Sequence, residues 1–197
     1  MTSITNAQGY YHNRSEERTY TFLFADINRD FPYNRIDNNC FVSAASRAIF
    51  KIFQNNLIYG CLTYHGGTEV IGYPWGSYNH LNKGFLNQTS TEAPDDRMFN
   101  RISKIMQRQA KVPGWSDFAT GSMSNTVYPW YGAMEDWAYG ASWDTSSKAR
   151  STSWTPASYR PLHNSDYFSK FESIKPSIYL IEASDRKIPL EKNFGNK

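Results

Sequence analysis

An Asn-Arg pair, Asn28 and Arg29, follows a short apolar run within Ala25-Asp-Ile-Asn-Arg-Asp-Phe-Pro32. The guanidinium of Arg29 is a planar fork that can hold a carboxylate through two parallel hydrogen bonds. The side-chain amide of Asn28 adds a neutral donor beside it. Together the two residues could form a receptor for a carboxylate group.

Three further segments each set a polar residue at the end of an apolar run. They are Thr63-Tyr-His-Gly-Gly-Thr68, Gly132-Ala-Met-Glu-Asp-Trp-Ala-Tyr139 and Ile178-Tyr-Leu-Ile-Glu-Ala-Ser184. Taken alone, His65 fits a hydrogen-bonded structural histidine, and Glu182 fits a strand-end glutamate in water. The order of all four segments along the chain is the specific signal.

In this order the segments resemble the zinc carboxypeptidases, in particular the regulatory branch in which two glycines follow a metal-ligand histidine. The resemblance runs from Asn6-Ala-Gln-Gly-Tyr10 to Lys192-Asn-Phe-Gly195. In that family a His-x-x-Glu pattern supplies the first two zinc ligands, upstream of the segment that residues 6–10 resemble. We therefore expect residues 1–197 to be a partial metallocarboxypeptidase catalytic domain, truncated at both ends, with two further Zn²⁺ ligands upstream of Met1.

The resemblance implies a zinc exopeptidase that releases the C-terminal residue of peptides or proteins. His65 corresponds to the third zinc ligand, and Gly66 and Gly67 let the backbone pack close to metal and substrate. Glu182 corresponds to the general base that takes a proton from the attacking water. A local metal pair of His65 with Glu69 is a competing idea, although such glutamates are ordinarily solvated.

The resemblance also implies the residues that bind the substrate. Asn28 and Arg29 would grip its terminal carboxylate, and Tyr139 would fold over the bound peptide. An arginine shortly before the Asn-Arg pair would stabilise the oxyanion, for which Arg18 is the best-placed candidate and Arg14 the next. Relatives that remove basic residues commonly have acidic residues after their Tyr-Pro segment. Here Tyr73-Pro-Trp-Gly-Ser77 lacks them, which weakens a basic-residue preference without establishing another.

The predicted elements would gather these segments at one edge of a sheet. Residues 19–25 are typical of a strand leading into the Asn-Arg pair, and residues 57–64 and 177–183 are typical of buried strands. His65 then lies at the carboxyl end of a strand, where ligands of α/β sheets bind. Residues 112–162 show no clear period, which is typical of irregular site walls.

Helices are predicted between and beyond these strands. Residues 39–53 fit a helix behind an Asn38-Asn39 cap, with Val42, Ala45, Ile49 and Phe53 at helical spacing. Asp95 would cap a second helix whose apolar face is Met98, Ile102, Ile105 and Met106. A further helical piece is predicted at residues 167–174. The fold class is therefore α/β, a mixed and mostly parallel twisted sheet flanked by helices.

Composition limits the class of protein. The chain has 197 residues, of which 40% are hydrophobic and 16% aromatic, enough for one packed domain. A formal charge of +3 with dispersed basic residues argues against a nucleic-acid partner. No apolar run approaches the roughly 20 residues of a membrane span. The sequence gives no indication of oligomeric state.

The cysteines and the glycosylation sequons give some information about the cellular compartment of the protein. Cys40 and Cys61 are too few for a disulfide scaffold and lack metal-binding spacing, although a single bridge between them stays open. The sequons Asn13-Arg-Ser15 and Asn87-Gln-Thr89 favour a secretory route slightly, since they are usable only there. The compartment otherwise stays undetermined.

Two alternatives to an enzyme stay open. Family members without zinc ligands persist as peptide-binding modules, and this chain shows only one of the expected ligands. An unrelated aromatic-rich carbohydrate-binding module would require the order of the segments to be accidental. Because one imidazole cannot replace a three-ligand site, we expect this chain by itself to bind zinc poorly and to show little activity.

Overall fold

The computed structural model describes residues 26–34, 40–56, 58–82, 89–110, 117–140, 144 and 176–184. Within them it contains four strands, β1 (Gly60–His65), β2 (Thr68–Tyr73), β3 (Ala119–Ser122) and β4 (Ser177–Ser184). It also contains four α-helices, α1 (Ala44–Asn55), α2 (Asp96–Ala110), α3 (Met123–Thr126) and α4 (Met134–Gly140). Short 3₁₀ turns occupy Ile27–Arg29 and Tyr78–His80. The predicted strand at 19–25 and helical piece at 167–174 lie outside these residues.

The four strands form one mixed sheet in the order β1-β4-β2-β3. Strands β1 and β4 are parallel, as are β2 and β3, whereas β2 and β4 are antiparallel. The sheet confirms the predicted fold class. Strand β2 is an addition, because no element was predicted for Thr68–Tyr73. The prediction that residues 112–162 are irregular is wrong for β3, α3 and α4, which all lie within that range.

Helices cover both faces of the sheet. The ring of Phe99 in α2 stacks on that of Tyr73 in β2. Gly72, the residue before Tyr73, packs closely against α3. A Cβ atom added to Gly72 would lie 2.9 Å from the Met123 side chain of that helix. Because successive residues of a strand point to opposite faces, α2 and α3 lie on opposite sides of the sheet. Gly72 lacks a side chain where α3 comes closest.

The first helix begins later than its sequence predicts. Helix α1 starts at Ala44, and Ser43 is its N-cap, with a hydroxyl that accepts a hydrogen bond from the Ser46 N–H. Phe41 has a φ of 55°, which a right-handed helix cannot include. The carboxylate of Asp30 accepts the N–H groups of Val42 and Ser43 at 2.9 and 2.8 Å and fixes this entry. The predicted start at residue 39 is therefore wrong.

The apolar face of the second helix is also rotated from the predicted one. Met98 and Ile105 are 41% and 43% exposed, whereas Phe99 is fully buried. Ile102 and Met106 are partly buried against the core, as predicted. The face that packs on the sheet is therefore centred on Phe99, which the sequence analysis left out.

Two expectations about the chain as a whole can be compared with the described residues. Cys61 is a free thiol, so the bridge between Cys40 and Cys61 that the sequence left open is not formed. No helix in the described ranges combines the length and apolar character needed to cross a membrane.

An aromatic cluster around Trp137 joins α4 to α1. The indole is fully buried, and its centroid lies within 6.1 Å of the ring centroids of Phe31, Phe41, Phe50 and Phe53. Aromatic pairs of this kind add to the energy of burial. The packing of Trp137 therefore holds α4 and its other side chains against the rest of the domain.

Replacing Trp137 with alanine should lower the free energy of unfolding by about 3–5 kcal/mol, because it leaves a large cavity in this cluster. Tyr59→Ala is the matched control, since Tyr59 is 63% exposed, and it should change stability by less than about 0.5 kcal/mol. Urea unfolding followed by circular dichroism measures both variants. Equal stabilities for the two variants would contradict this account of the core.

Candidate functional site

His65 and Glu182 lie side by side at the end of the sheet. The parallel register of β1 and β4 pairs these two residues directly. Side chains of directly paired residues project from the same face of a sheet. The structure therefore brings together the histidine and the glutamate that the sequence analysis selected. Both residues are partly accessible, with the His65 side chain 29% exposed.

Glu135 of α4 lies against the same face of β1. Its side chain is fully buried, and its Oε1 atom accepts a hydrogen bond from the hydroxyl of Thr63, two residues before His65. The same oxygen is 3.6 Å from Nε2 of His65 and accepts a hydrogen bond of 3.4 Å from the amide of Asn28. One carboxylate thus connects the Asn-Arg turn, the first strand and the histidine.

His65 and Glu135 each stabilise the charged form of the other. Burial by itself lowers the pKa of His65, but the carboxylates of Glu135, Glu182 and Asp26 outweigh it and raise that pKa above its usual value. Burial by itself raises the pKa of Glu135, but the imidazole of His65 and the hydroxyl of Thr63 bring it below its usual value. Glu135 is therefore a carboxylate at neutral pH, in a site that favours positive charge on its neighbours.

Asn28 connects the Asn-Arg turn to the start of α4 through side-chain hydrogen bonds. Its side-chain oxygen accepts the N–H of Met134 at 2.8 Å, while its side-chain NH₂ reaches Glu135. Its own backbone N–H donates to the carboxylate of Asp26, which caps the turn. Asn28 is 8% exposed. Its amide is a structural link between the turn and the helix, and this link fixes the position of Arg29.

Arg29 lies between a carbonyl, a phenol and an indole. Its guanidinium donates 2.7 Å to the carbonyl oxygen of Asn28 and 2.9 Å to the hydroxyl of Tyr128. It also lies over the ring of Trp130, 4.8 Å from the centroid. An arginine held in this way keeps its fork in one orientation. The arrangement suits recognition of a planar anion such as a carboxylate.

Tyr139 lies in the core and not beside Arg29. It is 1% exposed, and its hydroxyl donates to the carboxylate of Asp95 at 2.7 Å. Its ring packs against those of Trp75 and Phe99, and burial raises the pKa of its hydroxyl far above the usual value. The tyrosine beside Arg29 is instead Tyr128, which is 54% exposed.

The remaining predicted residues fall into two classes. Arg18 and Arg14 lie outside the described residues. Glu69 is in strand β2, where it pairs with Ala183, the neighbour of Glu182 in β4. Because adjacent residues of a strand point to opposite faces, Glu69 projects away from the face that carries Glu182 and His65. The geometry gives no support to a His65-Glu69 metal pair.

The described residues can supply one ligand of a zinc site. Within that part of the chain, no three His, Cys, Asp or Glu side chains form a group that could hold a metal ion. Structural and catalytic zinc sites need three or four protein ligands. The imidazole of His65 fits a zinc ligand in kind and in accessibility, and any further ligands have to come from outside the described residues.

Four residues of the site were not singled out from the sequence, namely Thr63, Tyr128, Trp130 and Glu135. Thr63 and Glu135 lie within two of the four segments that resemble the family, but nothing in their spacing indicates that they meet. Tyr128 and Trp130 precede the third segment in a stretch without periodicity. The signal that could have selected them is their aromatic character, since aromatic rings commonly stack with arginine.

Comparison with known proteins gives a consistent result. A family profile described as zinc carboxypeptidase matches residues 3–159. The chain is 24% identical over 151 residues to the human carboxypeptidase N catalytic chain, across 71% of this chain and 33% of the human one. Its fold is similar to that of the carboxypeptidase A from Helicoverpa armigera, with a TM-score of 0.54 and 14% identity, covering 91% of this chain and 38% of that one. The chain thus spans about a third of the length of its curated relative.

Proposed function

Because the chain belongs to the zinc carboxypeptidase family, we propose that the protein is a zinc-dependent peptidase that hydrolyses the C-terminal peptide bond of peptides or proteins. The pairing of His65 with Glu182 at the open end of the sheet carries this proposal. A metal-binding imidazole would then lie beside a carboxylate base, and Glu135 connects the imidazole to the turn that carries Arg29.

His65 would hold zinc through its imidazole, together with ligands from outside the described residues. A zinc ion held there would supply a Lewis acid for the scissile carbonyl and the attacking water. Glu182 accepts the proton of that water and passes it to the leaving nitrogen.

Arg29 would bind the terminal carboxylate of the substrate and so restrict cleavage to the last residue. Asn28 keeps Arg29 in position through its link to Met134. We propose Tyr128 in the substrate-contacting role first expected of Tyr139, because its exposed hydroxyl accepts a hydrogen bond from the Arg29 guanidinium. The oxyanion arginine, Arg18 or Arg14, stays a proposal from the resemblance alone.

Product analysis tests this function. The protein expressed from its whole coding sequence is incubated with zinc and a hexapeptide that has either a free C-terminal carboxylate or a C-terminal amide. Mass spectrometry should show loss of a single residue from the first peptide and no change in the second. Cleavage at internal bonds would contradict the proposal.

A peptide-binding module without activity is the second candidate, because the described residues supply only one metal ligand. It predicts that calorimetry detects binding of the free-carboxylate peptide while mass spectrometry detects no product at any zinc concentration. Release of the terminal residue would exclude it.

A further inference from the structure

Helix α2 collects basic side chains on its outward side. The exposed basic residues of this helix are Arg97, Arg101, Lys104 and Arg108. At about 100° per residue, they lie within an arc of about 60° on the side of the helix opposite Phe99, which packs on the sheet. The row extends over about 16 Å along the helix axis. We call this row of four cations the basic face of α2.

No acidic residue of α2 lies on the basic face. Asp96 is the single carboxylate of this helix, and it lies nearer the side that packs on the sheet. Within the described ranges, none of the four cations forms an ion pair. Like charges at a spacing of three or four residues repel one another on a helix. An anionic surface that approaches the basic face would relieve this repulsion.

Two exposed apolar side chains lie beside the basic face. Met98 and Ile105 are 41% and 43% exposed. They are two helical turns apart, and both lie within about 60° of Arg101 around the helix axis. The outward side of α2 therefore combines a row of cations with a pair of apolar side chains. This combination is typical of helices that lie in the interface of a lipid bilayer.

We propose that α2 binds the surface of an anionic lipid bilayer. The basic face contacts the anionic groups of the lipids, while Met98 and Ile105 enter the boundary between headgroups and acyl chains. A polyanion in solution, such as a sulfated polysaccharide, would neutralise the cations but leave the two apolar side chains in water. The apolar pair therefore favours the bilayer as the partner.

The sheet determines where the candidate site faces when α2 is bound. Val70 pairs with Glu182 and lies two residues before Gly72, so all three project to the side of the sheet that α3 covers. His65 pairs with Glu182 and projects to the same side. Helix α2 covers the other side, against Tyr73. Binding through α2 therefore leaves the candidate site directed away from the bilayer, where peptides in solution reach it.

Sedimentation with vesicles tests this proposal on the unmodified protein, expressed from its whole coding sequence. One set of vesicles is phosphatidylcholine alone, and the other contains about one third phosphatidylserine. Each cation near an anionic bilayer contributes about fivefold to the affinity, so the protein should bind the anionic vesicles about 100-fold or more tightly than the neutral ones. Equal binding to the two sets, or no binding to the anionic vesicles at about 1 mM lipid, would overturn the proposal.

Substitutions of exposed cations test whether α2 makes the contact. Arg101→Ala combined with Lys104→Ala should weaken binding to the anionic vesicles by about 25-fold, since two cations are lost. Lys51→Ala is the control, because it removes an exposed cation from α1, and it should keep the affinity within about twofold. All these side chains are exposed, so each variant should keep the Tm of the unmodified protein. A double variant that binds as tightly as Lys51→Ala would overturn the assignment to α2.

Substitutions of the apolar pair distinguish a bilayer from a soluble polyanion. Met98→Ser combined with Ile105→Ser should weaken binding to the anionic vesicles by about 10-fold and leave binding to heparin within about twofold, because only the bilayer buries apolar surface. If this double variant binds the vesicles as tightly as the unmodified protein does, the basic face recognises charge alone. That result would overturn the bilayer as the partner.

Discussion

Replacing Glu182 with glutamine should lower kcat for release of the terminal residue by about 100-fold to 10,000-fold, because the amide cannot take a proton from the attacking water. The Kd for the substrate should stay within about threefold, since glutamine keeps the shape of the side chain at the strand end. Rapid-quench kinetics gives kcat, and calorimetry gives Kd. The effect should thus fall on the chemical step and spare binding.

Two controls make this result specific. The Tm and the zinc content of Glu182→Gln should match those of the unmodified protein, which excludes loss of fold or of metal. Glu69→Gln removes a carboxylate from the neighbouring strand at Ala183, on the opposite face, and should retain full activity. A Glu182→Gln protein that turns over near the original rate would remove this residue from the role of base.

The second large effect is expected at Arg29. Arg29→Ala should lower kcat/KM by about 30-fold to 5,000-fold, because the terminal carboxylate loses its charged, bidentate partner. The kcat/KM of Arg29→Lys should lie between those of the unmodified protein and of Arg29→Ala, since lysine keeps the charge and loses the planar fork. The ratio of Kd for an amidated peptide to Kd for the free acid should also approach one in Arg29→Ala.

Arg101→Ala is the matched control for this loss of charge, because Arg101 lies on the exposed side of α2. It should leave kcat/KM and the ratio of the two Kd values unchanged. If Arg29→Ala still distinguishes the free acid from the amide as strongly as before, the terminal carboxylate is bound elsewhere.

The sequence predicted the part of the site that depends on strand ends. Residues 57–64 and 177–183 are largely apolar segments that form β1 and β4 in nearly the predicted positions. The prediction that the first of them is buried is wrong, because Leu62 and Tyr64 of β1 are 45% and 71% exposed. Because these strands are parallel and adjacent, the polar residues at their ends meet. This is the geometry that brings His65 to Glu182. The apolar segments predict where the strands end, but they do not predict the register that pairs these two residues.

The rest of the site depends on how α4 is placed, which spacing does not encode. Gly132 has a φ of 72° and turns the chain between Tyr128 and α4. That turn leaves Tyr128 at the surface beside Arg29 and takes Tyr139 into the core. Tyrosines on either side of such a turn cannot be told apart by composition, so the sequence alone gave no reason to choose Tyr128.

The sequence alone also does not show which of the two adjacent carboxylates of α4 faces the site. Glu135 turns toward β1, whereas Asp136 accepts the N–H of Gly76 at 3.0 Å, and burial raises its pKa to about 8. Neighbouring residues of a helix point in directions about 100° apart, so only one of the two can face the site. Which one does so is fixed by the packing of Trp137, a contact between distant parts of the chain.

A crystal structure of the protein with zinc and a non-cleavable peptide that has a free C-terminal carboxylate tests the central claim most directly. The account predicts zinc on the imidazole of His65, the terminal carboxylate within hydrogen-bond distance of the Arg29 guanidinium, and Glu182 beside the carbonyl of the last peptide bond. Zinc bound away from His65, or a peptide terminus that does not contact Arg29, would contradict it.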